Sequence, residues 1–314
     1  MNQRTEDIDV LVSEVGPRDG LQNAKGIMPT EDKLKWIETE AAAGVLEIEV
    51  GSFVPPKLIP GMADTGDVVK GALKVEGITV LALVPNLRGA ENAFKAGAHK
   101  VTIPISVSEP HSISNVRKNH KEMIEEVRKI CELRDSYPEG KRPHVETGLA
   151  TAFGCSIQGV VDEFEVMRMA EAAVEAGVDE VGLADTVGYA NPNQVKRVFK
   201  STRAAIGNKL GSAHFHNTMG LGLANVLAAL EVDVRTFDAS LGGLGGCPFA
   251  PGASGNIVTE DLVFLLESQG LRTGIDIEKL MAVREIVTAA LPDDQIYGHV
   301  LLAGLPKGFK AAAA

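Results

Sequence analysis

Aromatic residues make up only 4% of this 314-residue chain, so any core must be built from aliphatic side chains. Cysteine is scarce too: Cys131, Cys155 and Cys247 are too few for the disulfide framework of a small secreted fold. No apolar run approaches the roughly 20 residues that span a bilayer, so no membrane partner is expected. A dense basic run is also missing. With 31 basic against 42 acidic residues the net charge is −11, which argues against the basic face of a nucleic-acid binder. The nearest thing to such a run, Arg117, Lys118 and Lys121, is followed by Glu122, Glu125 and Glu126 and reads as a solvated helix face. The opening MNQRTEDIDV carries neither the basic, apolar pattern of a secretory signal nor an Arg-rich transit pattern. A cytoplasmic location is the expectation.

Glycine, by contrast, is abundant at 33 residues, and a phrase recurs around it. AAGVLEIEV (42–50), KAGAHKVTI (95–103) and EAGVDEVGL (175–183) each join a helix end to an apolar strand through Gly. LEVDVRTFDA (230–239) is a looser copy with Asp233 in the Gly place. A residue just past a helix end that adopts the left-handed conformation closes the helix. The repeat therefore marks helix-to-strand junctions. Eight strands are predicted: Val10–Val15, Leu46–Val50, Thr79–Val84, Val101–Ser106, His144–Leu149, Glu180–Ala184, Ser212–His216 and Thr236–Leu241. Near-continuous apolar runs suit parallel strands covered on both faces. Val116, Met123, Val127 and Ile130 predict one helical stripe, and Val160, Phe164, Met167 and Val174 another. The fold class is α/β, a (β/α)8 barrel. Helices over Thr259–Ser268 and Ile277–Ala290 follow it. One catalytic domain over 1–314 is expected, with 257–310 packed on the barrel as a helical extension.

Active sites of such barrels lie at the C-terminal ends of the strands, and the chemistry-bearing residues fall there. Strand one runs into VGPRDGLQN (15–23) and strand two into EVGSF (49–53). Strand six ends in Asp185-Thr186, strand seven holds His214-Phe215-His216-Asn217, and a Gly-rich loop covers 242–256. His214 and His216 alternate on a strand, so both rings face one side, roughly 7 Å apart. With Asp19 across strand eight they can close around a divalent ion. Mixed imidazole and oxygen ligands with open positions favour Mg²⁺ or Mn²⁺ over Zn²⁺. Arg18 and Asp19 are neighbours whose side chains are expected to diverge, one toward metal and one toward substrate. Of Glu47 and Glu49, the second lies nearer the strand end and is the functional choice, the first facing helices or solvent. Cys247, in a loop with six glycines, is a candidate acid or base. Cys131 reads as core and Cys155 as dispensable. His99, His111, His120, His144 and His299 show no convergent partners in the sequence.

These motifs resemble the 3-hydroxy-3-methylglutaryl-CoA lyase family along nearly the whole chain. The matching phrases are VGPRDGLQN (15–23), EVGSFVPPK (49–57), VPNLRG (84–89), GLADTVG (182–188), HFHNTMGLGLAN (214–225), GLGGCPFAPGASGN (243–256) and TEDLV (259–263). The resemblance implies retro-Claisen cleavage of an acyl-CoA thioester to acetyl-CoA and acetoacetate. It implies a divalent cation, Mg²⁺ or Mn²⁺, held by Asp19, His214, His216 and Asn256. Arg18, Asp19, Glu49, Asp185, His214 and Cys247 are then the catalytic set, with Arg18, Gln22, Lys25 and Ser52 as substrate or CoA contacts. A homo-oligomer is expected. The family's His-Asp-Thr-Tyr-Gly-Gln is here His216-Asn217-Thr218-Met219-Gly220-Leu221, and 106–115 follows the family only loosely. These departures leave open a smaller citramalyl- or methylmalyl-type thioester. A condensing synthase of the isopropylmalate or homocitrate type shares RDG-Q and HxH, but leaves the Cys loop unexplained. A non-catalytic metal-stabilised binding protein is the remaining alternative.

Overall fold

The computed structural model describes residues 7–245 and 255–312. Eight parallel strands close into a barrel in sequence order: β1 (Leu11–Glu14), β2 (Glu47–Ser52), β3 (Thr79–Leu83), β4 (Lys100–Ser106), β5 (His144–Ala150), β6 (Glu180–Asp185), β7 (Leu210–Phe215) and β8 (Thr236–Ala239). Closure is made by β8 on β1, with Leu11 opposite Thr236 and Glu14 opposite Ala239. The helices are α1 (Thr30–Ala42), α2 (Thr65–Ala72), α3 (Leu87–Ala96), α4 (Glu109–Val116), α5 (His120–Asp135), α6 (Glu163–Glu175), α7 (Pro192–Ile206), α8 (Gly222–Leu230), α9 (Thr259–Ser268), α10 (Ile277–Ala290) and α11 (His299–Ala303). The repeated junction does what its glycines suggest. Gly44, Gly97 and Gly177 have φ of 104°, 94° and 107°, and Asp233 takes the same left-handed turn at 62°. No helix among the described residues is long and apolar enough to cross a membrane.

Two helical expectations need correction. Val116 does not share a helix with Met123, Val127 and Ile130. It ends α4, and Arg117 turns left-handed at φ 59°. A capping box then restarts the chain as α5: Asn119 Oδ1 accepts from Glu122 N, and the Glu122 carboxylate accepts from Asn119 N, each at 2.9 Å. In α6 the buried face is Val166, Met169, Ala170 and Ala173, whereas Val160 and Phe164 are exposed. Asp162 caps α6 at Phe164 N, which leaves Val160 outside the helix and Phe164 on its first, outward turn. The two C-terminal helices match their expected spans, with α10 against α1 and α9 against β1. The short α11, which packs on α9, carries too little periodicity to be read from sequence.

The barrel interior departs from the branched aliphatic layers usual for this architecture. Near its N-terminal end Lys100 Nζ lies 2.6 Å from Glu146, 3.4 Å from Glu47 and 3.9 Å from Glu180, so carboxylates of β2, β5 and β6 meet one ammonium of β4. Glu47 therefore points inward, not toward helices or solvent. Residues two apart on a strand share a face, and Glu47 and Glu49 occupy two levels of one interior. Removing Lys100 strands buried carboxylates without a counter-ion. Lys100→Ala should cost ~3–5 kcal/mol of stability, the usual penalty for breaking a buried pair, read as a fall in the urea midpoint at unchanged slope. A change below about 1 kcal/mol would mean that protonation of Glu146, already pushed up to about 7 by burial, neutralises the cluster cheaply.

Candidate active site

The site begins where β1 ends. Gly16–Gly20 forms a π-helical turn in which Arg18, Asp19 and Gly20 all direct their N–H groups at Val15 O. The turn is anchored from below by Glu14. Its Oε1 accepts from Gly16 N (2.7 Å) and Leu241 N (2.9 Å), and its Oε2 accepts from Thr259 Oγ1 (2.7 Å). One carboxyl thus ties β1 to the chain after β8 and to α9. Burial pushes Glu14 up to about 8, against the pull of these donors. Gly16 is required by the approach: a Cβ there would lie 2.5 Å from Glu14 Oε1 and 2.7 Å from the Trp36 ring.

This turn also corrects the expected divergence of Arg18 and Asp19. Arg18 Nη1 binds Asp19 Oδ1 at 2.5 Å, and Arg18 Nε binds Glu49 Oε2 at 2.5 Å. Only Nη2 of the guanidinium has no hydrogen-bond partner among the described residues. Asp19 Oδ2 accepts from Asn256 Nδ2 at 2.7 Å and lies 3.9 Å from His214 Nε2 and 3.8 Å from His216 Nε2. The two Nε2 atoms are 3.0 Å apart. Asn256 arrives there because 255–257 runs beside the end of β7, with Asn217 N donating to Gly255 O and Ile257 N to Phe215 O.

The electrostatics of this cluster sort its members. Burial would raise Asp19, but Arg18 and the two histidines outweigh it and hold the carboxyl at about 2. Burial and the neighbouring His214 push His216 down to about 3, so its ring is neutral. Burial lifts Glu49 to about 7 although Arg18 opposes the rise. A ring nitrogen pair at 3.0 Å accommodates one proton or one cation between its lone pairs. The buried Asn256 Oδ1 has no hydrogen-bond partner among the described residues. An anionic oxygen, two imidazole nitrogens and an orphaned amide oxygen make a donor set that fits a divalent cation.

Above and below these groups lies a cavity of about 800 Å³ at the C-terminal mouth of the barrel, lined by Arg18, Asp19, Gln22, His214 and His216 among others. Its deep part is polar, with Thr102, Glu146, Ser212 and Asp238. Its rim carries Leu58, Ile59 and Val116 beside Arg117 and Lys118. Arg117 and Lys118 thus line the cavity mouth at the α4–α5 turn, Arg117 still exposed, instead of standing on a helix face.

Other expected members stand elsewhere. The Asp185 carboxylate accepts from Tyr189 N (2.9 Å) and Ala190 N (3.0 Å) and does not line the cavity. Burial raises it to about 6, with those amides pulling the other way. It shapes the turn after β6. Lys25 is exposed and bound to the 293–294 segment, Nζ to Asp293 O and N to Asp294 Oδ1. Ser52 lines a separate pocket between α2 and α3, and its backbone N and O are both taken by Thr65 Oγ1. Cys247 lies outside the described residues. Cys131 is buried with its thiol pushed up to about 11, and Cys155 Sγ accepts from Ile157 N and Gln158 N.

The histidines without partners in sequence acquire them in space. His111 binds Ser106 and lines the cavity, His99 accepts from Val80 N, His120 meets Ser106 O, and His144 and His299 pair with Glu180 and Asp261. Asp238 was missed altogether, although its place beside His214 in the β7–β8 register could have been counted from strand alternation.

Comparison with known proteins points to one family. Residues 9–287 match the family described as HMGL-like. The chain is 41% identical over 275 residues to hydroxymethylglutaryl-CoA lyase YngG of Bacillus subtilis, covering 87% of this chain and 90% of that one. It is 38% identical over 282 residues to the human mitochondrial hydroxymethylglutaryl-CoA lyase, covering 90% and 86%. Among solved structures, an HMG-CoA lyase from Acinetobacter baumannii in complex with coenzyme A and 3-methylmalate superposes with a TM-score of 0.89 at 41% identity, over 96% of this chain and 97% of that one.

Proposed function

The chain belongs to the HMGL-like family and is a carbon–carbon lyase, and from that premise we propose that it cleaves 3-hydroxy-3-methylglutaryl-CoA to acetyl-CoA and acetoacetate with a divalent cation held by Asp19, His214, His216 and Asn256. The observation that carries the reading is the meeting of Asp19, His214 and His216 beside the Arg18–Glu49 pair at the mouth of the barrel. When bound, the cation supplies Lewis acidity toward the substrate's oxygens. The residues supply the rest. Arg18 Nη2 is the free donor that meets the thioester oxygen as it becomes an enolate, while the bonds to Glu49 and Asp19 keep the guanidinium from turning away. Glu49, lifted to about 7 by burial, has the acidity to take the tertiary hydroxyl proton, but it does not line the cavity and meets the site through its bond to Arg18 Nε. His214 is less suited to that task, because Nδ1 is committed to Asp238 and Nε2 faces Asp19 and His216. Arg117 brings positive charge to the rim, where Lys118 is paired with Glu126, and this suits an anionic CoA tail.

The reading is tested by incubating the Mg²⁺-supplied protein with 3-hydroxy-3-methylglutaryl-CoA and quantifying acetyl-CoA and acetoacetate. Equimolar release is expected. Arg18→Gln should lower kcat about 10²–10³-fold with KM within a few-fold, as for a lost oxyanion donor. No cleavage by the parent protein, together with cleavage of a shorter hydroxyacyl-CoA, would reassign the substrate. A pure KM effect would make Arg18 a carboxylate clamp.

A further inference from the structure

The two imidazoles of the cluster are held differently. His216 is fixed through its backbone, bridged to Asn256 across 255–257, and its Nδ1 is buried with no hydrogen-bond partner among the described residues. His214 is fixed through its ring, with Nδ1 3.0 Å from Asp238 Oδ2 on the adjacent strand. The register places the two residues directly opposite, His214 of β7 against Asp238 of β8. Both face the barrel interior, so a carboxylate is locked beside one ring nitrogen while the other nitrogen is aimed into the cluster.

We infer that Asp238 is a positioning residue for the cation site: it accepts the Nδ1–H of His214, fixing the tautomer that presents a lone pair at Nε2 toward Asp19 and His216. The inference rests on the cation reading proposed above and deepens it. A carboxylate accepts only, so the hydrogen of this contact belongs to His214 and the tautomer follows without a choice. A carboxylate on the far nitrogen of a ligating histidine also holds the ring plane and raises its basicity.

Charged groups surround Asp238 from several strands. Arg18 faces it with positive charge, Glu49 and Glu146 face it with negative charge from β2 and β5, and the His214 ring meets it through Nδ1. It also lines the deep part of the cavity, half-buried beside the His214 ring. An asparagine there keeps the shape but can turn its NH₂ toward Nδ1. That would move the ring proton to Nε2 and point it at Asp19, where a cation is to bind.

The test uses the full chain without substrate. Mn²⁺ affinity, from electron paramagnetic resonance titration, should fall about 10–100-fold in Asp238→Asn, with the urea midpoint little changed. Asp238→Glu should recover part of the loss. Nitrogen-15 shifts of the imidazoles in metal-free protein should show His214 protonated at Nδ1 in the parent and moved toward Nε2 in Asp238→Asn. Mn²⁺ binding unchanged in Asp238→Asn would overturn the inference while leaving the cation reading intact. Failure of the parent protein to bind Mn²⁺ would overturn the cation reading, and the nitrogen-15 shifts would still decide whether Asp238 sets the tautomer. A parent His214 protonated at Nε2 would sink the inference outright.

Discussion

Stripping divalent cations abolishes cleavage, and Mg²⁺ or Mn²⁺ restores it better than Zn²⁺: this is the first expected result. Two members of the donor set are ready before any ion arrives, while His214 is held above the ordinary imidazole value, burial pulling it down but Asp238 and Asp19 outweighing it. His216 is neutral because burial and His214 push it down to about 3, and Asp19 is anionic because Arg18 and the histidines hold it at about 2. Neither needs to shed a proton at neutral pH, so any deprotonation cost of binding falls on His214. The oxygen share of the set, Asp19 plus the unpartnered Asn256 Oδ1, leans toward hard cations. Two protein oxygens and two nitrogens leave positions for substrate in an octahedral shell, whereas Zn²⁺ prefers four ligands. The measurement is turnover after exhaustive chelation, with elemental analysis of the same sample, followed by titration of each metal. Full turnover in verified metal-free protein would remove the cation from the mechanism, and a Zn²⁺ optimum would show that Asn256 does not contribute.

The legibility of this molecule in its sequence differed by scale. All eight strands lie within two residues of their expected ends, and for β2, β4, β6 and β8 the reason is the repeated junction, which has one physical meaning wherever it occurs. Even Asp233 obeyed it, an unusual residue in a left-handed position that asparagine and aspartate tolerate better than most. Helix faces were harder. In α6 the cap at Asp162 set the rotation of the helix, and an apolar count that began at Val160 chose the wrong side. Site residues on strands followed from alternation and strand order: His214, His216 and Glu49 converge on the barrel mouth as expected, near Asp19. Residues whose position depends on a turn did not follow. Arg18 and Asp19 pair because a π-helical turn brings adjacent side chains together, and Asp185 is drawn into backbone amides that only the fold assembles. The polar barrel interior was visible only in part, since Lys100 looks like a surface lysine until Glu47, Glu146 and Glu180 are seen around it.

Cys247→Ser should lower kcat by about 10²–10⁴-fold, the range of a lost general acid, with Mn²⁺ affinity unchanged. Cys247 itself lies outside the described residues, but the residues on either side of its segment meet the cation cluster. Gly245 packs so closely on Asp19 that a Cβ would meet its backbone O at 3.0 Å, and Asn256 donates to the Asp19 carboxylate. The chain therefore leaves and re-enters beside Asp19, with nine residues between 245 and 255. An unperturbed thiol near pKa 8.5 is mostly protonated at neutral pH, so it can give a proton to the thioester enolate. A serine hydroxyl, of similar size, is a far weaker acid. Alkylation should inactivate, and a bound substrate analogue should protect. The other thiols serve as controls: Cys131 is buried in α5, and Cys155 is buried and bonded within its own turn. Cys131→Ala and Cys155→Ala should retain most activity per folded molecule. Solvent isotope effects on kcat add a readout of proton delivery that a structural role would leave unmoved. A Cys247→Ser protein that turned over like its parent would leave Arg18 and the cation cluster to carry the reaction alone, and would strengthen the condensing-enzyme comparison that the Cys loop otherwise opposes.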